Sequence, residues 1–176
     1  MRRLLILFAS LALGAGLWTA PAAAAPASCG LTWGSLDKAA PTYARATVTA
    51  VRAGRHDCFD RLVVDLSGPV GGYHVGYVDT VTMDGSGQVV PLRGGAFLHV
   101  TVQAPAYDDA GNATFRPARP GEVVDVDGYQ SFRQVAWAGS FEGRTGFGLG
   151  VRARLPFRVL VLDNPARLVV DVAHAW

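Results

Sequence analysis

The feature that most constrains the fold is a seven-residue strand sequence that occurs twice, as DRLVVDL at Asp60–Leu66 and as ARLVVDV at Ala166–Val172. In each copy Arg, Val and Asp alternate with large aliphatic residues, the period of two that is typical of a β-strand with one face in the core. A strand sequence that occurs twice in one chain predicts a domain built from two related halves.

A second similarity supports two halves. The sequence YHVGYVD at Tyr73–Asp79 resembles FRVLVLD at Phe157–Asp163. In the first half this segment follows the repeated strand, and in the second half it precedes it. We therefore expect a permuted pair of halves rather than a tandem duplication.

The N-terminus has the three regions of a secretory signal. Arg2 and Arg3 precede an apolar run from Leu4 to Leu17, which is followed by the small-residue segment Ala20–Ala27. We expect a signal peptide over residues 1–27, with cleavage after either Ala24 or Ala27. The apolar run is too short to span a membrane, so we expect no transmembrane anchor after cleavage and a protein secreted to the cell wall or the extracellular space.

The charge balance argues against a nucleic-acid partner. The chain has 16 basic and 14 acidic residues, and without Arg2 and Arg3 the basic residues also number 14. A neutral chain lacks the basic excess that nucleic-acid binding needs.

The two cysteines, Cys29 and Cys58, predict one disulfide, because an exported chain with an even count most simply pairs them. A bridge across such a loop stabilises by about 3 to 4 kcal/mol in the chain-entropy model. The alternative is a lipoprotein acylated at Cys29. Pro26 stands where a lipoprotein signal has an aliphatic residue, and acylation would leave Cys58 alone.

Glycine and proline clusters divide the rest of the chain into short strands, so we predict an all-β fold, an antiparallel β-sandwich of about eight strands. An N-terminal anchoring segment over 28–42, with Trp33 and Leu36 packed on the sheet, precedes the domain at 43–176. Ala104–Gly121 is the one long polar loop, and loops of that length are usually functional or mobile. The predicted strands are Ala46–Ala53, Asp60–Leu66, Tyr73–Asp79, Phe97–Gln103, Gln130–Ala138, Phe147–Arg152, Phe157–Leu162 and Arg167–Ala173.

No catalytic or metal-binding pattern is present. The four histidines, His56, His74, His99 and His174, lack metal-ligand spacing, and the sequence has no nucleophile elbow, zinc-protease motif or P-loop. We expect no enzymatic activity, no cofactor and no metal. A small hydrolase would need a constellation of catalytic residues that the sequence does not supply.

The candidate ligand-binding residues are Arg144, Phe141 and Glu142 in the glycine-rich stretch Gly139–Gly150, with Tyr73 and Tyr77. Arg offers a planar fork for carboxylates, aromatic rings stack on sugars, and glycine lets the backbone approach a ligand. The alternative for the glycines is a tight hairpin with bulges.

The charged residues of the repeated strands have a structural interpretation. If the strands are antiparallel neighbours with Val63 opposite Val169, Arg61 meets Asp171 and Arg167 meets Asp65. Such cross-strand pairs stabilise by about 0.2 to 1 kcal/mol each.

The order of VRAGRHDCFDRLVVDL, YHVGYVD, GSFEG and PFRVLVLDNPARLVVDV resembles the AMIN-like domain of exported actinobacterial proteins, a relative of the AMIN domain of cell-wall amidases. The resemblance covers about residues 43–176. It implies a β-sandwich that binds the cell envelope without catalysis, and peptidoglycan is the implied ligand. Since the chain has no room for an amidase domain, we expect no fused hydrolase. The alternative function is a protein-interaction domain that regulates a separate envelope enzyme through an exposed edge strand.

Overall fold

The computed structural model describes residues 29–176, and the predicted signal peptide lies outside them. Its strands are β1 (Lys38–Ala40), β2 (Val48–Arg55), β3 (Phe59–Leu66), β4 (Tyr73–Val78), β5 (Ala96–Val102), β6 (Phe132–Phe141), β7 (Arg144–Val151), β8 (Phe157–Asp163) and β9 (Ala166–Ala173).

The strands form two antiparallel sheets that pack face to face, which confirms the all-β sandwich. Sheet A has the order β1-β4-β5-β7-β6, and sheet B has the order β2-β3-β9-β8. The one strand beyond the predicted eight is β1, a short edge strand of the anchoring segment that pairs with β4.

The two copies of the repeated sequence are neighbours in sheet B. Strands β3 and β9 pair antiparallel with Val63 opposite Val169, the arrangement considered in the structural interpretation of their charged residues. Each copy also pairs with the strand that precedes it, so the hairpins β2–β3 and β8–β9 lie side by side. The second similarity does not follow this arrangement. Strand β4 lies in sheet A whereas β8 lies in sheet B, so the interpretation as a permuted pair is wrong.

The main core lies between the sheets and is aliphatic with a few aromatic rings. Leu62 and Val64 of β3 and Leu168 and Val170 of β9 contribute the repeated aliphatic face and are fully buried. Phe147 of β7 packs against them from sheet A as part of the same cluster. Burial of apolar area at about 25 cal/mol per Å² makes this layer the main source of stability.

The glycines of β7 have a packing explanation. A second cluster, which includes Val81 and Leu92 of the segment between β4 and β5, covers the outer face of sheet A. A Cβ at Gly148 would lie 2.8 Å from Leu92 Cδ1, and a Cβ at Gly150 would lie 2.0 Å from the carbonyl oxygen of Arg93. Gly148 and Gly150 are therefore glycine because the covering segment lies directly on the backbone of β7.

The disulfide between Cys29 and Cys58 is present, and it ties the anchoring segment to the turn before β3. Trp33 packs as expected, with its ring centroid 5.5 Å from that of Phe59. Leu36 was expected on the sheet as well, but it is 78% exposed. It lies just before β1, an edge strand that pairs with β4 alone.

Asp171 is the centre of the ionic network on the outer face of sheet B. Its fully buried carboxylate accepts hydrogen bonds from Arg61 and from Arg158, with Nε to oxygen distances of 2.6 and 2.8 Å. The guanidinium of Arg158 also lies 4.3 Å from the ring of Trp33.

The expected pair between Arg167 and Asp65 does not form. The two residues are opposite each other in the ladder. However, Asp65 binds Arg52 of β2 through two hydrogen bonds of 2.6 and 2.7 Å, and Arg167 donates to the carbonyl of Pro165. Because Asp65 has a neighbouring strand on either side, the arginine on β2 competes for the same carboxylate and takes it.

Candidate binding groove

A groove lies at the end of the sandwich where three chain segments meet. These are residues 43–47 before β2, residues 103–109 after β5, and residues 142–144 in the β6–β7 hairpin. The groove consists of two adjoining depressions of about 890 and 630 Å³, which share Tyr107 and Gly111. We call it the Tyr107 groove. Depressions of this size are in the range that small-molecule ligands occupy.

The loop that forms the wall of the Tyr107 groove is held by both sheets. Thr145 donates its hydroxyl to the carbonyl of Ala104 at 2.7 Å, and Ser140 accepts the amide of Ala106 at 2.9 Å. From sheet B, Val48 donates its amide to the carbonyl of Pro105 at 2.8 Å. The wall is therefore fixed before any ligand arrives, which lowers the entropic cost of binding.

Asp108 organises the tip of the same loop. Its Oδ1 accepts the amides of Ala110 and Asn112, and its Oδ2 accepts the side-chain amide of Asn112 at 3.1 Å. The hydrogen bond from the Asn112 side chain is the largest cause that lowers the pKa of Asp108, and the backbone amides add to it. Asp108 is thus a structural carboxylate of the turn, although it lines the groove.

Three exposed arginines line the Tyr107 groove, Arg45 and Arg144 in the larger depression and Arg116 in the smaller one. Their guanidinium groups have no hydrogen-bond or ion-pair partner among residues 29–176. Two carboxylates of the larger depression, Asp109 and Glu142, likewise have no such partner within that range. The groove therefore offers a ligand exposed charges of both signs that no other group of residues 29–176 engages.

Three arginines on sheet B, in contrast, are paired with carboxylates. Arg52, Arg61 and Arg158 each bind a carboxylate through Nε. Outside the groove, two further arginines of residues 29–176 lack such a partner: Arg119, whose side chain has no hydrogen bond, ion pair or ring contact, and Arg55, whose guanidinium lies 5.8 Å from the ring centroid of Tyr129. Free guanidinium groups are therefore concentrated at the groove.

The smaller depression is lined mainly by rings. Trp137 and Phe115 are half-buried there, with their centroids 5.7 Å apart, and Pro117 and Pro120 complete the surface. Trp137 also makes an edge contact with the buried Phe147 at 5.4 Å. Packing on the core thus holds the indole in place while leaving part of it at the surface.

The structure places two of the five predicted ligand-binding residues in the Tyr107 groove and the other three elsewhere. Arg144 and Glu142 line the Tyr107 groove. Phe141 is 47% exposed, but its ring covers Gly85 of the segment on the outer face of sheet A. It is not among the residues that line the groove.

Tyr73 and Tyr77 share the side of β4 that carries Val75, as the alternation predicts, but that side faces the core. The hydroxyl of Tyr77 donates to the carbonyl of Leu155 at 2.8 Å and accepts the amide of the same residue at 2.9 Å. Burial raises the pKa of Tyr77. The two tyrosines are therefore part of the core packing, and the structure does not bring them to Arg144.

Five residues of the groove were not predicted individually from the sequence: Arg45, Tyr107, Phe115, Arg116 and Trp137. The available signal was the long polar loop, which contains three of them. Arg45 and Trp137 are brought to this loop only by the folded structure.

The described residues show no catalytic arrangement. The buried Asp60 accepts the amides of Ser131 and Phe132 and contacts His174 Nε2 at 3.1 Å. Ser131 donates its hydroxyl to the carbonyl of Ala173 and not to the imidazole, so these side chains do not form a nucleophile and base pair. Among residues 29–176 no group of three His, Cys, Asp or Glu side chains is placed to hold a metal ion.

No helix long and apolar enough to cross a membrane occurs in the part of the chain that the structure describes. Comparisons with curated proteins and with solved structures find no match. Comparison with protein families finds the AMIN-like domain over residues 46–174, a span that includes both repeated strands and most of the groove. Domains of this family are in general non-catalytic modules related to the cell wall. The chain belongs to the AMIN-like domain family.

Proposed function

We propose that the protein is an exported, non-catalytic module of the cell envelope that recognises peptidoglycan through the Tyr107 groove. Family membership supports a cell-wall setting. The N-terminal pattern of Arg2, Arg3 and the following apolar run, together with the disulfide, supports secretion to the cell wall or the extracellular space.

The observation that carries the proposal is the concentration of unpaired guanidinium groups beside exposed rings. Arg45, Arg116 and Arg144 have no partner among the described residues, whereas Arg61 and Arg158 are bound to Asp171. Peptidoglycan carries carboxylates and amides on its peptides and sugar rings in its glycan strands. A guanidinium binds a carboxylate through two parallel hydrogen bonds, and an aromatic face packs on a sugar ring.

The proposal is tested by co-sedimentation of Arg144→Ala with purified sacculi. We expect a several-fold loss of bound protein, because a charge-assisted hydrogen bond contributes about 1.5 to 3 kcal/mol. Arg119→Ala is the matched control, since Arg119 is equally free of partners but does not line the groove. Equal binding by the wild-type protein and both variants would contradict the assignment of the groove.

A second candidate function is a protein-interaction domain that regulates a separate envelope enzyme. Strand β8 is an edge of sheet B, and Val161 on it is 44% exposed. An extended segment of a partner could add to this edge by backbone hydrogen bonds. Val161→Lys would weaken such a complex and leave binding to sacculi unchanged, which separates the two candidates.

A further inference from the structure

The two depressions of the Tyr107 groove differ in chemistry. The smaller one presents Phe115, Trp137, Pro117 and Pro120, and its charged side chain is Arg116. The larger one presents free charges of both signs, including Arg45, Arg144 and Glu142. One half therefore suits a ring with apolar faces, and the other suits a chain with carboxylate, amine and amide groups.

Tyr107 connects the two halves, because it lines both depressions. Its hydroxyl oxygen accepts the amide of Gly143 at 3.2 Å, which holds the phenol against the β6–β7 hairpin. The hydroxyl proton is left to donate, since a phenol can both accept and donate. A ligand that crosses from one depression to the other would meet this donor at the boundary.

The rigidity of the rings favours binding of a sugar. Trp137 rests on Phe147, which is fully buried, and Phe115 contacts both of these rings. A ring that is already fixed loses little conformational entropy when a ligand stacks on it.

From this geometry we infer that the Tyr107 groove recognises the branch point of peptidoglycan, where a peptide joins a sugar ring. The sugar ring lies in the aromatic depression, the peptide carboxylate lies near Arg144 and Arg45, and Tyr107 donates to a polar group at the junction. This inference rests on the proposed function and specifies its ligand.

If the groove binds this branch point, its affinity for a ligand should depend on the covalent bond between the sugar and the peptide. A neutral glycan strand would bind only in the aromatic depression, and a free peptide would bind only in the charged depression. When both are joined, binding of the second part is intramolecular, and the gain reaches up to about 10²- to 10⁴-fold over either part.

Calorimetry with three soluble probes tests this. The probes are a tetramer of β-1,4-linked N-acetylglucosamine, a free peptidoglycan stem peptide, and a disaccharide that carries the same peptide. We expect the conjugate to bind at least about tenfold more tightly than either part. Arg144→Ala should weaken the conjugate more than the sugar tetramer, and Trp137→Phe, which keeps a ring against Phe147, should weaken the tetramer and the conjugate more than the peptide.

Arg119→Ala should leave the affinity for all three probes unchanged, because it lies outside both depressions. A conjugate that binds no more tightly than the tetramer or the peptide would overturn the inference. So would binding to sacculi with no binding to any of the three probes, a result that leaves the proposed function intact. If the wild-type protein binds neither sacculi nor the probes, the proposed function fails as well.

Discussion

Arg61 binds Asp171 through two hydrogen bonds, from Nε to Oδ1 at 2.6 Å and from Nη2 to Oδ2 at 2.9 Å. The carboxylate is fully buried, whereas the guanidinium side chain is 24% exposed. The two residues stand opposite each other on β3 and β9, so this contact fastens one half of the repeat to the other.

We therefore expect Arg61→Ala to lower the free energy of unfolding by about 1.5 to 3 kcal/mol, the usual contribution of hydrogen bonds to charged groups. Urea denaturation measures this change. Arg167→Ala removes the arginine at the equivalent position of the other copy, but Arg167 donates only to the carbonyl of Pro165 and should cost less. If both variants lose the same free energy of unfolding, the bond from Arg61 to Asp171 is not the cause of the loss in Arg61→Ala. Binding to sacculi per folded molecule should be unchanged in both.

The disulfide between Cys29 and Cys58 closes a loop with a sequence separation of 29 residues. In the chain-entropy model, removing it with Cys58→Ser should lower the free energy of unfolding by about 3 to 4 kcal/mol. Mass spectrometry of the secreted protein before and after reduction should differ by two protons. A free thiol at Cys58, or a lipid mass on Cys29, would contradict the pairing.

Gly150 tests whether the glycines of β7 serve packing. Gly150→Ala places a methyl group against the carbonyl of Arg93, and since the backbone cannot yield easily we expect a loss of about 3 kcal/mol or more in the free energy of unfolding. Gly121→Ala is the matched control, because the nearest atom to its Cβ would be 4.0 Å away. Thermal unfolding of both proteins measures the difference. If Gly150→Ala is as stable as the control, the packing explanation is wrong.

His99 predicts a contribution to the pH dependence of stability. Burial is the main cause that lowers its pKa from the ordinary value of 6.5, the Asp84 carboxylate opposes this, and His74 adds to it. Between the lowered pKa and 6.5 the unfolded chain binds a proton that the folded chain does not, so the free energy of unfolding falls as the pH falls through this window. His99→Asn should make the fall from pH 7 toward acid shallower, as measured by urea denaturation at several pH values. An unchanged slope would contradict this account.

The repeated strands could be predicted from the sequence, and their register could be narrowed, because a one-residue slip would turn the shared core face to the solvent. The alignment with Val63 opposite Val169, considered for the charged pairs, is the one that the sheet has. The partner of Asp65 could not be predicted from the sequence. The repeated sequences contain only β3 and β9, whereas in the sheet Arg52 on β2 reaches the same carboxylate from the other side.

In the candidate site, too, local patterns could be read from the sequence, whereas contacts between distant segments could not. Alternation correctly placed Tyr73 and Tyr77 together, and the buried aliphatic Val75 between them was the available sign that this side faces the core. Arg144 was predicted because it lies in the glycine-rich stretch Gly139–Gly150, where the backbone can approach a ligand closely. The rest of the groove was not found, because Arg45, Tyr107 and Trp137 are distant in sequence and meet only when the long loop crosses the end of the sandwich.

The most direct test of the central claim is co-sedimentation of the purified wild-type protein with isolated sacculi at low salt and at about 0.15 M salt, where the screening length is about 8 Å. A chain that is neutral without Arg2 and Arg3 cannot hold a polymer by net charge, so its affinity must come from short-range hydrogen bonds and stacking. We predict that most of the protein sediments with the sacculi in both conditions. Protein that remains in the supernatant at both salt concentrations would contradict peptidoglycan recognition and favour the protein-interaction function.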